Sequence, residues 1–209
     1  MENKINYHKE MLSMLDGIDE KDHKKILLHT CCGPCFTIPY EYLKDKFEIT
    51  LFFNNSNIYP KEEHDRRLEE LKKYIASLNT KINLIVQDYD YDNFVADFKG
   101  LENEREGQNR CFICYSKRLI KTFEYADKHG FNYVGSVMSI SRYKNAQMLN
   151  KIGENLMKKY PKIKWFFADF KKENGYQKSL KIVSDFGMYK QDYCGCEFSI
   201  KNREKIAKK

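Results

Sequence analysis

Short apolar runs alternate with longer stretches in which apolar residues recur at helical spacing, and this alternation continues along most of the chain. Ile5, Met11, Leu12 and Leu15 predict a modest amphipathic helix ahead of a polar segment at 16–25, which either covers a face or hangs loosely. Residues 26–28 read as a strand whose end delivers His29, Thr30, Cys31 and Cys32. Gly33-Pro34 then marks a turn, and a helix is expected over 36–47 with a late start because Pro39 lacks an N–H. Residues 49–53 concentrate β-branched and aromatic side chains and form the next strand, closed by Asn54-Asn55-Ser56-Asn57.

A longer helix follows from Pro60, with Glu62 and Glu63 at its positive end and an apolar stripe of Leu68, Leu71, Ile75 and Leu78; its charged face reads as solvated. Strands are expected at 82–86, 131–137 and 163–168. Helices are expected around Phe94, Phe98 and Leu101, and over 111–129, 146–160 and 179–186. The repeated strand-to-helix order predicts an α/β fold, a three-layer Rossmann-like domain with a mostly parallel sheet and right-handed crossovers. An N-terminal helical extension at 1–24, one α/β domain at 25–200 and a basic tail at 201–209 complete the expected organisation.

Composition narrows the partners more than the fold. Against 30 acidic residues stand 37 Lys and Arg, a formal charge of +7 that suits an anionic partner. The first 24 residues carry Lys4, Glu10, Asp16 and Asp19 among apolar positions, unlike a secretory signal, and no apolar run reaches membrane-spanning length. Neither export nor a membrane partner is expected, and a monomer is compatible with these features.

The seven cysteines fall into three local groups: Cys31, Cys32 and Cys35; Cys111 and Cys114; Cys194 and Cys196. An odd number cannot pair entirely within the chain, and a core of this size needs no disulfides, so reduced metal ligands are expected. Loops at the C-terminal edge of a parallel sheet converge on a crevice, which lets distant cysteines meet. Four thiolates suit zinc or a [4Fe-4S] cluster, and the remaining three suit a second metal or redox-active thiols.

Leu27-Leu28-His29-Thr30-Cys31-Cys32-Gly33-Pro34-Cys35 resembles the opening site of the QueH-type epoxyqueuosine reductases. Tyr59-Pro60-Lys61-Glu62-Glu63, Gly100-Leu101-Glu102-Asn103-Glu104, Arg110-Cys111-Phe112-Ile113-Cys114 and Ser139-Ile140-Ser141 follow in that family's order. So do Lys144-Asn145, Asp169-Phe170-Lys171-Lys172 and Tyr193-Cys194-Gly195-Cys196-Glu197-Phe198-Ser199. The resemblance, covering about 25–199, implies a nucleotide-hydrolase-like fold and two-electron deoxygenation of epoxyqueuosine to queuosine at the wobble position of transfer RNA. It also implies a [4Fe-4S] cluster, an adjacent iron and an external electron donor.

Carried onto this chain, the resemblance places Cys31, Cys32, Cys111 and Cys114 on the cluster and Cys35, Cys194 and Cys196 around the iron. Asp90 is the expected oxygen ligand, with Asp169 its competitor. His29 is expected either to pack or to orient a thiolate. Arg110, Arg118, Arg142, Tyr143, Lys144, Lys171 and Lys172 are expected to meet the RNA, with Tyr89, Tyr91 and Tyr143 as stacking platforms. The family commonly carries Pro-His-Lys where this chain has Arg142-Tyr143-Lys144, so Tyr143 is a departure.

Two other functions share parts of this pattern. An ATP-dependent RNA-thiolating enzyme would want a glycine-rich phosphate loop where this chain has Leu28-His29-Thr30-Cys31-Cys32-Gly33-Pro34. A noncatalytic, zinc-bound RNA-recognition module needs only the cysteines and the charge. His8, His23, His64 and His129 lack metal-ligand spacing and are expected to take surface or capping roles.

Overall fold

The computed structural model describes residues 4–201; the basic run at 202–209 lies outside the described residues. Five strands, β1 (Lys25–His29), β2 (Glu48–Phe53), β3 (Asn83–Val86), β4 (Tyr133–Ser136) and β5 (Lys164–Trp165), form one sheet in the order β3-β2-β1-β4-β5. Every pairing is parallel. The sheet is thus the expected Rossmann-like type. Ile26, Leu27 and Leu28 on β1 are fully buried, as are Leu51 and Phe53 on β2, because the crossover helices cover both faces.

Among the described residues, the helices that accompany the sheet include α1 (Tyr7–Asp16), α2 (Gly33–Leu43), α3 (Lys61–Ser77), α4 (Tyr91–Val95), α5 (Asn109–Lys128), α6 (Ala146–Lys159) and α7 (Gly175–Asp185). Helix α2 packs against α3 and α7, while α5 packs against α6, which gives the helical layers. The N-terminal helix is docked. Tyr7 stacks on Phe167 with centroids 5.6 Å apart, and Met11 is sealed into the main core.

Several boundaries differ from those expected. Helix α2 begins at Gly33, before Pro39 and without a late start. Pro34 falls in its first turn, where no N–H is needed, and burial of most of the helix outweighs the missing donor at Pro39. Helix α7 starts at Gly175 instead of 179. The strand expected at 163–168 contracts to Lys164–Trp165, although the Phe166 N–H still donates to Val134 O at 2.8 Å.

The chain builds β1, β2 and β3 outward on one side, then crosses back through α5 to place β4 on the other side of β1. Such a reversal opens a crevice at the carboxyl ends of the two central strands. The loop after β1 carries the first cysteine group into it.

Candidate metal centre

Cys31 and Cys32 leave β1 in extended backbone, and Cys35 returns on the first turn of α2. Gly33 makes this turn compact: a Cβ there would sit 3.0 Å from Glu70 O on α3. The three sulfurs lie within 4.8 Å of one another, close enough to hold one metal ion. Cys32 and Cys35 are joined as a disulfide, with Cα atoms 5.3 Å apart, where the sequence predicted free thiols. A C-x-x-C pair on one helical turn comes within bonding reach, so both states suit the same backbone. Cys31 Sγ remains 3.4 Å from Cys35 Sγ, and Gln191 Nε2 donates to Cys32 Sγ at 3.1 Å while its buried Oε1 has no partner.

The other four thiols line a second cavity of about 410 Å³. Cys111 and Cys114 are one turn apart at the start of α5 and so share a face. Cys194 and Cys196 sit on the loop after α7, with sulfurs 3.6 Å apart, bent at Gly195, whose φ of 117° suits glycine. That loop is pinned from outside. Tyr59 N–H donates to Gly195 O at 2.8 Å, Tyr193 Oη to Tyr59 O at 2.7 Å and Arg67 Nη1 to Cys194 O at 3.4 Å.

Burial pushes the Cys111 thiol up and raises Cys114 to about 11. Cys194 goes the other way, to about 6, because Cys196 hydrogen-bonds it and Lys144 lies nearby, against the cost of burial. The Cys196 thiol is correspondingly raised by its bond to Cys194. The hydrogen bond thus pushes the two thiols apart, Cys194 toward the thiolate and Cys196 toward the thiol.

His29 stands directly behind the first group and is fully buried. Arg118 Nε donates to its Nε2 at 3.2 Å, which places the ring proton on Nδ1, facing Ser136 Oγ at 3.3 Å. Asn54 O, 3.3 Å from Nε2, is then a close neighbour and not an acceptor. Burial, then the Arg118 charge, holds the imidazole well below its ordinary pKa. His29 is thus a neutral prop that orients Arg118.

The expected RNA-facing residues divide into two sets. Arg110 and Arg118 are 2% and 1% exposed and line the second thiol cavity, so neither guanidinium offers solvent-facing phosphate contact. Lys144 is buried and borders both this cavity and a cleft of about 490 Å³ that opens beside Cys35. Arg142 is exposed at that cleft and donates to Tyr143 Oη at 2.7 Å, while Tyr176 and Tyr193 supply aromatic walls. Lys171 is tied to Ser139 O at 2.5 Å and to Asp169 at 3.2 Å, leaving Lys172 exposed beside it.

Asp90 is exposed and caps α4, accepting from Asn93 N–H at 3.3 Å, and it lines neither thiol cavity. Asp169 is engaged by Lys171. The carboxylate that does line the second cavity is Glu106, which accepts from Ser199 Oγ at 2.5 Å. Tyr89 and Tyr91 stack at 6.3 Å, but their hydroxyls are committed to Ile58 O and Glu197.

Sequence reasoning missed Asn57, Gln191 and Arg67. Asn57 ends a strand-closing run whose four side chains are all buried, and its Oδ1 is unpartnered at the second cavity. Arg67 and Glu63, on the α3 face expected to be solvated, form a buried ion pair at 2.6 Å. His64, expected at the surface, is 4% exposed between Phe53 and Tyr89. Their signal was faint, since a charged helix face looks alike whether water or a loop covers it.

Seven soft sulfur donors in two groups fit thiolate-bound iron or an iron–sulfur cluster, and the unpartnered Arg110 Nη2 and Asn57 Oδ1 leave polar capacity beside four of them. The chain also matches known proteins. The family described as epoxyqueuosine reductase QueH matches residues 26–202. Epoxyqueuosine reductase QueH of Streptococcus pyogenes serotype M1 is 40% identical over 95% of this chain and 79% of its own length. The Staphylococcus aureus enzyme of that name is 38% identical over 94% of this chain and 84% of its own. That of Thermotoga maritima is 32% identical over 87% of this chain and 94% of its own.

Proposed function

The chain belongs to the epoxyqueuosine reductase QueH family, and from that premise we propose that it is an oxidoreductase converting epoxyqueuosine in transfer RNA to queuosine. The observation that carries this reading is the gathering of the seven cysteines into two groups, Cys31, Cys32 and Cys35 within 4.8 Å of one another and the other four around one cavity, with Tyr143 and Lys144 lining both that cavity and the cleft beside Cys35. Replacing the epoxide by an alkene consumes two electrons and two protons and releases one water. Acid alone would open the ring instead. Electron delivery is therefore indispensable, and side chains by themselves lack it.

Cys31, Cys32, Cys111 and Cys114 are the proposed cluster ligands, with Cys35, Cys194 and Cys196 around the adjacent iron; the Cys32–Cys35 disulfide must be reduced first. When bound, these centres supply low-potential electrons and Lewis acidity. The chain contributes the rest. The cleft beside Cys35 has apolar walls from Ile140, Leu180 and Val183, and Tyr143, Tyr176 and Tyr193 offer ring faces to a modified base. Arg142 is exposed at this cleft and Lys172 at another that shares the Lys144 wall, and both suit the RNA backbone. Tyr143, in place of the family histidine, hydrogen-bonds Asp192 O at 2.5 Å and so shapes the rim. A cytoplasmic setting follows from a transfer RNA substrate, and among the described residues no helix is long and apolar enough to cross a membrane.

The test is anaerobic incubation of iron- and sulfide-replete protein with epoxyqueuosine-containing RNA and a chemical reductant. Queuosine should form at two electrons per product, without ATP. Loaded protein that leaves the epoxide intact overturns the proposal; sulfur incorporated with ATP would mark a thiolating enzyme, and stoichiometric zinc without turnover a recognition module. Cys114→Ser should lose iron and sulfide together with conversion while far-ultraviolet dichroism stays native. Cys35→Ser should retain more sulfide than Cys114→Ser, and equal retention would reject the proposed division of ligands.

A further inference from the structure

Three cations are sealed around the cavity of Cys111, Cys114, Cys194 and Cys196 with no ion-pair partner among the described residues: Arg110, Arg118 and Lys144. Arg118 is bounded by neutral groups, donating through Nε to His29 at 3.2 Å and through Nη2 to Asn55 Oδ1 at 2.7 Å. Arg110 directs Nη1 to the carbonyls of Leu101 and Glu102, lies 4.6 Å over the Phe198 ring and leaves Nη2 buried without a partner. Among the described residues, Glu106 is the one carboxylate lining the cavity. Elsewhere the fold does pair its interior charge, as Arg67 with Glu63 shows.

Removing a lone cation from water costs several kcal/mol even after relaxation. Three cations against one carboxylate leave a surplus that a single thiolate at Cys194 does not cancel, and that calls for an anion of more than one charge on the thiols. Iron held by several thiolates is such an anion, and each electron it accepts adds a further negative charge.

We infer that Arg110, Arg118 and Lys144 form a buried cationic cage that offsets the charge of the thiolate-bound iron centre and raises its reduction potential, with Arg118 as the fixed charge. This rests on the reading that these thiols hold iron, but not on how the seven are divided. Arg118 acts as a positioning residue for charge. The His29 bond holds it in place, and its burial keeps it from the RNA.

The test compares native protein, Arg118→Gln and Arg118→Lys by anaerobic potentiometric titration followed by electron paramagnetic resonance. In Arg118→Gln the reduced-to-oxidised ratio at a fixed potential should fall roughly tenfold, which is about 59 mV for one electron. Arg118→Lys should recover part of that ratio. A native potential in Arg118→Gln overturns the cage.

A second arm needs no metal. With iron stripped by chelator and thiols reduced, Lys144→Met should melt at or above the native apoprotein, since three cations there outnumber the Glu106 carboxylate and the Cys194 thiolate and the variant removes the surplus charge. After loading, its gain in melting temperature should be smaller than the native gain. Melting below the native apoprotein overturns the cage even if Arg118→Gln fails to fold. Native protein that carries no iron or sulfide would instead remove the parent reading, and the apoprotein comparison would still decide whether the cations are unpaired.

Discussion

Cys114 and Cys194 face one cavity yet their thiols are pushed in opposite directions, since burial raises both while only Cys194 is lowered by a hydrogen bond with the Cys196 thiol, 3.6 Å away. In reduced, metal-free protein at pH 7, Cys194 should be alkylated by iodoacetamide well ahead of Cys114, as peptide mass spectrometry would show. Cys196→Ala should slow that reaction by raising the Cys194 pKa; an unchanged rate would remove Cys196 as its cause. His64 illustrates the reverse sign. Burial lowers its pKa from 6.5, although the Asp65 hydrogen bond opposes the shift. Well above pH 6.5 the ring is neutral both folded and unfolded, so it adds no pH dependence there. Below that the unfolded chain binds the proton more readily, and stability falls until the folded pKa is passed. His64→Phe should therefore flatten the melting temperature between pH 7 and 5, a window above the one in which the depressed carboxylates Asp65, Glu70 and Glu197 are lost.

At the scale of elements, α3 holds the Cys194 loop in place. Glu63 receives Arg67 Nε at 2.6 Å and Tyr189 Oη at 2.8 Å, Glu70 receives the Tyr189 N–H at 3.0 Å, and Arg67 reaches Cys194 O. Arg67→Met leaves the Glu63 carboxylate buried without its cation, so the protein should lose about 3–5 kcal/mol in denaturant titration. Amide exchange at 193–196 should rise in the same variant. Exchange that stays native there would show that the loop is held by Tyr59 and Tyr193 alone. Close approaches elsewhere keep the elements in register: a Cβ on Gly153 of α6 would fall 2.1 Å from the Trp165 ring on β5.

The whole molecule joins a formal charge of +7 to a cleft at the sheet's switch point. RNA affinity should fall steeply with added salt, as phosphate contacts release counterions. Arg142→Gln and Lys172→Gln should each reduce the slope of log affinity against log salt by about 0.7–0.9, the value for one phosphate contact. Arg118→Gln should leave the slope unchanged, because that guanidinium is 1% exposed. A reduced slope for Arg118→Gln would place it on the RNA face.

The alternation of apolar runs and helical stripes was enough to determine the α/β class, the parallel sheet and the placing of the cysteine loops, since burial on both faces of a parallel strand requires uninterrupted apolar residues such as 26–28. Motifs in order were likewise enough for the family. Boundaries depended on packing, as when a wholly buried α2 continued past Pro39. Tertiary structure alone decided which charges are interior: Arg67, Arg110 and Arg118 resemble surface arginines in sequence, and only the covering loops make them buried. It also decided how thiols are shared between cavities and that Asp90 caps a helix while Glu106 lines the site. Local sequence sets backbone preference and hydrophobic period, whereas the dielectric around a charge and the neighbours of a sulfur are set by segments that meet only when the chain has folded.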